Sequence, residues 1–134
     1  MKKLLLLLLV STFLISCSSD SSSESSGPTL SNTPQAKAEF DTSNFGIYKG
    51  VIIGSTGVIT INIKNDGELK ATLVIDGVTS TYTSTGEVAL NQPINNLRFT
   101  NGSNTIDINV SANGNDIVVA DSNIENHLGA TFNL

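Results

Sequence analysis

Nucleophilic catalysis needs a nucleophile, a base and a group that orients the base. This chain has one histidine, His127, and one cysteine, Cys17. A serine apparatus would have to use His127 as base, with Ser122 or a more distant serine as nucleophile. No Gly-x-Ser-x-Gly turn is present to hold a serine on a strained elbow. His127 therefore reads as a polar loop residue ahead of the last strand. Paired carboxylates at Asp66/Glu68 and Asp121/Glu125 have the spacing for acid–base work on a sugar bond. Both pairs lie in turn-like stretches, where carboxylates stay solvated and gain no useful pKa shift. The stretch "DSNIENH" alternates oxygens at Asp121, Asn123 and Glu125, a row that suits calcium. An EF-hand loop needs Gly sixth and Glu twelfth, and those positions hold Asn126 and Phe132. A single imidazole is too little for a zinc site. Asp121, Asn123 and Glu125 stand as weak metal candidates; no catalytic residue and no cofactor is expected.

The binding chemistries are equally sparse. Sugar sites stack rings on exposed aromatics, and beyond Phe13 the aromatics are Phe40, Phe45, Tyr48, Tyr82, Phe99 and Phe132. Phe99 and Phe132 fall in alternating segments where core is their expected place. Thr79, Thr81, Thr83 and Thr85 repeat with period two, which ice-binding surfaces stack over several rungs; one rung is an ordinary outer strand face. Twelve acidic residues face seven basic ones, and two of the seven are Lys2 and Lys3 at the extreme N-terminus. Such a balance repels phosphate backbones, so nucleic acid is not an expected partner.

The N-terminus carries the clearest signal. Lys2 and Lys3 precede an apolar or small run from Leu4 to Ile15, the charge and length of a secretory signal. That run is too short to span a bilayer, which takes roughly 20 apolar residues. Leu14-Ile15-Ser16-Cys17 resembles the bacterial lipobox. The resemblance implies cleavage after residue 16, a diacylglycerol on the Cys17 sulfur and an acylated Cys17 amine. The start "CSSDSSSESSG" is also similar to lipoproteins of Bacteroidota, the flavobacteria especially. In that group acidic residues soon after the cysteine accompany export to the cell surface; here Asp20 and Glu24 are not adjacent, and the periplasmic or surface side is left open. The expected localisation is the outer membrane, held through the N-terminal lipid.

Three regions follow: residues 1–16 as lipoprotein signal, 17–42 as lipidated cysteine and Ser-rich tether, and 43–134 as a β domain. The tether holds Pro28 and Pro34 and few apolar residues, so it gains too little burial to offset ordering. Removing the only cysteine to the lipid excludes a disulfide framework.

From Phe45 on, Gly, Asn, Asp and Ser clusters punctuate β-branched runs every eight to twelve residues. The runs predict strands at 47–53, 58–64, 69–75, 78–83, 87–90, 97–100, 105–110, 117–120 and 128–132. Asp76-Gly77, Asn101-Gly102 and Asn113-Gly114 are tight-turn chemistry. An all-β antiparallel meander of about eight or nine short strands is expected, a small barrel or a sandwich. Alternation puts Ile59, Ile61, Ile63, Leu69, Ala71, Leu73, Ile75, Ile106, Ile108, Val110, and Leu128, Ala130 and Phe132 on core faces. Thr60, Asn62, Lys64, Asp107 and Asn109 fall on the wet face. "ITINIKNDG" and "IDINVSANG" echo each other, as two hairpins obeying the same rules would. The domain also looks like small flavobacterial lipoproteins that share the Tyr-x-Gly hairpin opening at Tyr48-Lys49-Gly50. The functional expectation is a non-enzymatic binding, assembly or surface role with a protein or glycan partner unspecified. The alternatives are an inhibitor of an envelope lysozyme or protease, using 91–96 or 121–127 as a plug, and a lipocalin-like carrier of a small ligand.

Overall fold

The computed structural model describes residues 36–134. The signal segment, Cys17 and most of the expected tether lie outside the described residues. Eight strands form one antiparallel sheet: β1 (Gly46–Ile53), β2 (Gly57–Ile63), β3 (Leu69–Ile75), β4 (Val78–Thr83), β5 (Ile94–Asn101), β6 (Asn104–Val110), β7 (Ile117–Asn123) and β8 (Thr131–Asn133). The order is β7-β6-β5-β4-β3-β2-β1-β8, so the last strand returns to the first. Curling brings the two edge strands, β7 and β8, beside one another without pairing, and the barrel is nearly closed. The all-β meander read from the turn spacing is the observed fold.

Turn chemistry explains the hairpins. Asp76 and Gly77 both take positive φ, 51° and 79°, as a two-residue type I′ turn between Ile75 and Val78 requires. In the β5–β6 hairpin the central pair is Gly102-Ser103, with φ 60° at Gly102, one residue later than the Asn-Gly motif suggests. That placement is a type II′ turn, in which the first central residue is the glycine.

The core follows the period-two faces. Ile59, Ile61, Ile63, Ala71, Phe99, Ile106 and Ile108 are fully buried, with Leu69, Leu73, Ile75, Tyr82 and Val110 close behind. Burying each large aliphatic side chain is worth about 1.5–3 kcal/mol, so this shared interior holds the sheet curled. Inward side chains fill the barrel.

Several sequence expectations need correction. No strand forms at 87–90; this stretch pairs with no strand among the described residues, and Leu90 opens a turn and is exposed. β5 starts at Ile94, immediately after Pro93, and carries a bulge between Ile94 and Leu97 with Asn96 at φ 57°. β7 runs on to Asn123, because a second bulge beside Asp107 and Ile108 resets its alternation: Val119 leans inward, and so do Ser122 and Ile124. β8 comprises only Thr131–Asn133, and Leu128 lies outside it with 73% of its surface exposed, not in the core. Asn62 and Asp107 point away from the core as alternation requires, yet both are buried. The 64–68 turn folds back over Asn62, and Arg98 covers Asp107. The echo between 59–67 and 106–114 stops at the turns: Lys64 N–H bonds Glu68 O, whereas Ser111 N–H bonds Asp116 O, one residue longer.

The body also begins before residue 43. Ala38–Phe40 forms a 3-10 turn, Lys37 N–H donates to Asn65 Oδ1 at 2.8 Å, and Phe40 meets Phe45 edge-on at 5.7 Å. Residues 36–42, read as tether from their polarity, lie against the domain.

Candidate functional site at the far end of the barrel

Because the strands alternate in direction, the connections sort to two ends. Residues 36–45, 64–68, 84–93 and 111–116 gather at the near end, where the described chain begins. The connections 54–56, 76–77, 102–103 and 124–130 gather at the far end.

The near end is built for rigidity. Asn44 is fully buried, and its Nδ2 donates to Ala89 O (2.9 Å) and Gln92 O (2.8 Å) while its Oδ1 accepts from Asn91 N–H (2.7 Å). One side chain thus replaces the strand pairing that 87–90 lacks. Gly114, at φ 74°, sits so close to the Ser43 carbonyl that no Cβ fits there. Tyr48 Oη donates to the same carbonyl at 3.4 Å, and burial pushes the Tyr48 phenol above its ordinary pKa.

The far end carries three of the five large apolar side chains exposed among the described residues; Leu90 lies at the near end and Val118 on β7. Asp76 links three connections: Thr56 Oγ1 donates to its Oδ1 at 3.3 Å, and His127 Nε2 lies 3.9 Å from its Oδ2. A cavity of about 360 Å³ opens beside this pair. Leu73, Ile75 and Ile124 line its floor, and Asp76, Glu125 and His127 its rim. Tyr82 also borders it, its phenol pushed above the ordinary pKa by burial. Ile53, Val78 and Leu128, exposed at 59%, 66% and 73%, belong to this same end.

His127 is placed beside a carboxylate that the sequence reading treated only as turn chemistry. Ser80 borders the same cavity, yet no hydrogen bond joins it to His127 among the described residues. Ser122, the serine nearest in sequence, belongs to β7 and pairs with Ile106. His127 Nε2 and Asp76 Oδ2 face each other across 3.9 Å, longer than a hydrogen bond, and both offer hydrogen-bonding groups at the mouth of the cavity.

The metal candidates follow one another along the end of β7 and into the connection after it. Asp121 and Asn123 lie on β7, where Asn123 Nδ2 donates to Ser103 O at 3.4 Å. Glu125 N–H donates to Asn104 Oδ1 at 2.8 Å. Among the described residues no group of three or more His, Cys, Asp or Glu side chains is arranged to hold a metal ion. Asp66 and Glu68 are turn residues as expected. Asp66 Oδ1 accepts from Asn62 Nδ2 (2.6 Å) and Glu68 N–H (3.1 Å), and these bonds hold its carboxyl below the usual range. Glu68 reaches Lys70 at 3.3 Å. Thr79, Thr81 and Thr83 are exposed on the outer face of β4.

Among the described residues no helix is long and apolar enough to cross a membrane. Compared with protein families, curated proteins and solved structures, the chain matches none.

Proposed function

We propose that the chain is a lipid-anchored protein of the bacterial outer membrane whose β domain binds or assembles with a partner and performs no catalysis. The observation that carries this reading is the polarity of the molecule. The chain enters at the near end, on the side leading back to Cys17, and the far end presents Ile53, Val78 and Leu128 to solvent. A protein held by an N-terminal lipid would turn that far end away from the membrane. Its spacer, 19 residues from Cys17 to Ala36, has an end-to-end distance of about 25 Å if flexible.

The packed inward residues favour surface recognition over the carrier alternative, since they occupy the barrel. The inhibitor alternative draws on the 124–130 connection, where Leu128 projects beside the expected 121–127 plug. The 91–96 segment is a poorer plug, because Asn44 clamps Asn91 and Gln92.

Metabolic labelling with a palmitate analogue tests the anchor. Wild type takes up label and shifts in mobility, and Cys17→Ser does neither. Label on both or on neither would overturn the assignment. Pull-down from envelope extracts with Leu128→Asp as the comparison tests the far end: a partner retained equally by both proteins binds elsewhere.

A further inference from the structure

The far-end cavity owes its shape to two hairpins of unequal reach. β4 meets β5 at Thr83↔Thr100, and the β5–β6 hairpin already turns at Gly102-Ser103. The β3–β4 hairpin continues past that turn to its own at Asp76-Gly77. The 124–127 connection is tied to the shorter hairpin and lines the cavity opposite β3 and β4. Asn123 Nδ2 donates to Ser103 O, Glu125 N–H to Asn104 Oδ1, and His127 N–H to Ile124 O. Hydrogen bonds of the fold thus hold the cavity open in advance of any ligand. One group inside it is unsatisfied. Tyr82 is only 1% exposed, and a buried phenol ordinarily finds a hydrogen-bond partner. Among the described residues none bonds the Tyr82 hydroxyl, and Ser55 Oγ is the only side-chain polar atom both unbonded and sealed from solvent. The Tyr82 hydroxyl is therefore not sealed: the little of Tyr82 that stays accessible lies at that oxygen, on the cavity it borders.

We propose that this cavity binds a small organic cation: an apolar body with an ammonium at one end and a hydrogen-bonding oxygen at the other. Each part answers a group on the wall. The body covers Leu73, Ile75 and Ile124, and the oxygen pairs with the Tyr82 hydroxyl. The ammonium stays at the rim, where Asp76 and Glu125 stand with one imidazole and no lysine or arginine lines the cavity. There it keeps part of its hydration, so no charge is buried unpaired. An anion would meet two like charges, and a wholly apolar ligand would leave the phenol unbonded. About 360 Å³ is at the lower end for small-molecule sites, room for one ring and a short chain. The site lies at the mouth of the barrel, outside its packed interior. It requires neither the lipid nor the protein partner of the proposed function, so each stands or falls separately.

The test uses the chain from residue 18 onward, which contains the whole described body. Three probes are titrated while side-chain methyl resonances are followed. Tyramine has both ends, phenethylamine lacks the oxygen, and para-hydroxyphenylpropionate reverses the charge. Tyramine should shift the methyls of Leu73, Ile75 and Ile124 saturably and bind at least about tenfold more tightly than the propionate. Asp76→Asn/Glu125→Gln should cut that preference to about twofold or less, and asparagine suits the same type I′ turn. Tyr82→Phe should weaken tyramine about threefold or more and leave phenethylamine unchanged. No saturable shift up to about 10 mM tyramine overturns the proposal. So does equal binding of the ammonium and carboxylate probes, or a Tyr82→Phe loss shared by tyramine and phenethylamine. Should the Tyr82→Phe variant unfold, the order of the three probes on the unmodified chain decides the matter.

Discussion

Arg98 on β5 and Asp107 on β6 are direct cross-strand partners, with Arg98 Nε 2.7 Å from Asp107 Oδ1 and its Nη2 bonded to Oδ2. The pair is unequal: the carboxylate is 3% exposed and the guanidinium 56%. On its other side Asp107 pairs with Asp121 of β7, a like charge. The guanidinium is therefore a lid on a carboxylate that has no other cation bonded to it among the described residues, and that hydrogen bond raises the Arg98 pKa further. Arg98→Ala should lower the urea midpoint clearly. Arg98→Lys should fall between, since an ammonium cannot hold both oxygens in a fork. Restoration by the double change Arg98→Ala/Asp107→Ala would show that the loss comes from the stranded charge. Equal midpoints for all variants would reduce the pair to surface decoration.

The two faces of β2 and β6 give a second test. Ile61→Asp and Ile108→Asp should unfold the domain, because an unpaired carboxylate at a fully buried position costs several kcal/mol. Asn109→Asp should be mild: Asn109 Oδ1 accepts from Asn96 N–H at 2.6 Å, and a carboxylate can accept the same bond. Asn62→Asp should cost about 1–3 kcal/mol, since Asn62 Nδ2 is the donor to Asp66 and would become a second acceptor. Urea denaturation of the four variants separates these outcomes; similar midpoints for Asn62→Asp and Asn109→Asp would contradict the turn geometry.

A pH dependence follows from the same turn. Bonds from Asn62 and from Glu68 N–H depress the Asp66 carboxyl in the folded state. A folded value below the unfolded one, about 3.9, adds stability above that pH and loses it as pH falls through the folded value. The difference in urea midpoint between wild type and Asp66→Asn should be full at neutral pH and close at pH below about 4. A gap that persists unchanged into acid would mean that the ionised carboxylate is not what the turn uses.

Chain shortening tests where the domain begins. A protein starting at Ala36 should match the longer chain in stability. One starting at Ser43 should lose about 1–2 kcal/mol, through the Phe40–Phe45 contact and the Lys37–Asn65 bond. Equal stability for both starts would place residues 36–42 with the tether after all.

Much of the fold was legible because period-two alternation is a local property. Ile59, Ile61 and Ile63 declare their face without help from the rest of the chain, and Asp76-Gly77 declares its turn. What escaped depends on segments distant in sequence. Asn62 and Asp107 follow the alternation outward, but burial is decided by a turn folding back and by an arginine on the next strand. Val88, Ala89 and Leu90 have strand-like composition, while Asn44, more than 40 residues earlier, anchors Ala89 and the following Asn91 and Gln92 in place of a partner strand. The far-end pairing of Asp76 with His127 joins residues 51 apart in number, and no spacing rule connects them. Leu128 looked like core because three apolar residues alternate there; the strand begins only at Thr131.

The return of β8 to β1 sets an order of assembly. Every other ladder joins strands adjacent in sequence, so each can zip as a local hairpin. The β1–β8 ladder must close a loop of about 80 residues for only three residue pairs, Val51↔Asn133, Ile52↔Phe132 and Ile53↔Thr131. Such a contact comes late, after the meander has curled far enough to bring its ends together. Weakening it with Phe132→Ala would then leave the folding rate nearly untouched and fall almost wholly on the unfolding rate. The closing strand acts as a latch: it contributes little to finding the fold and sets how long the fold, once found, persists.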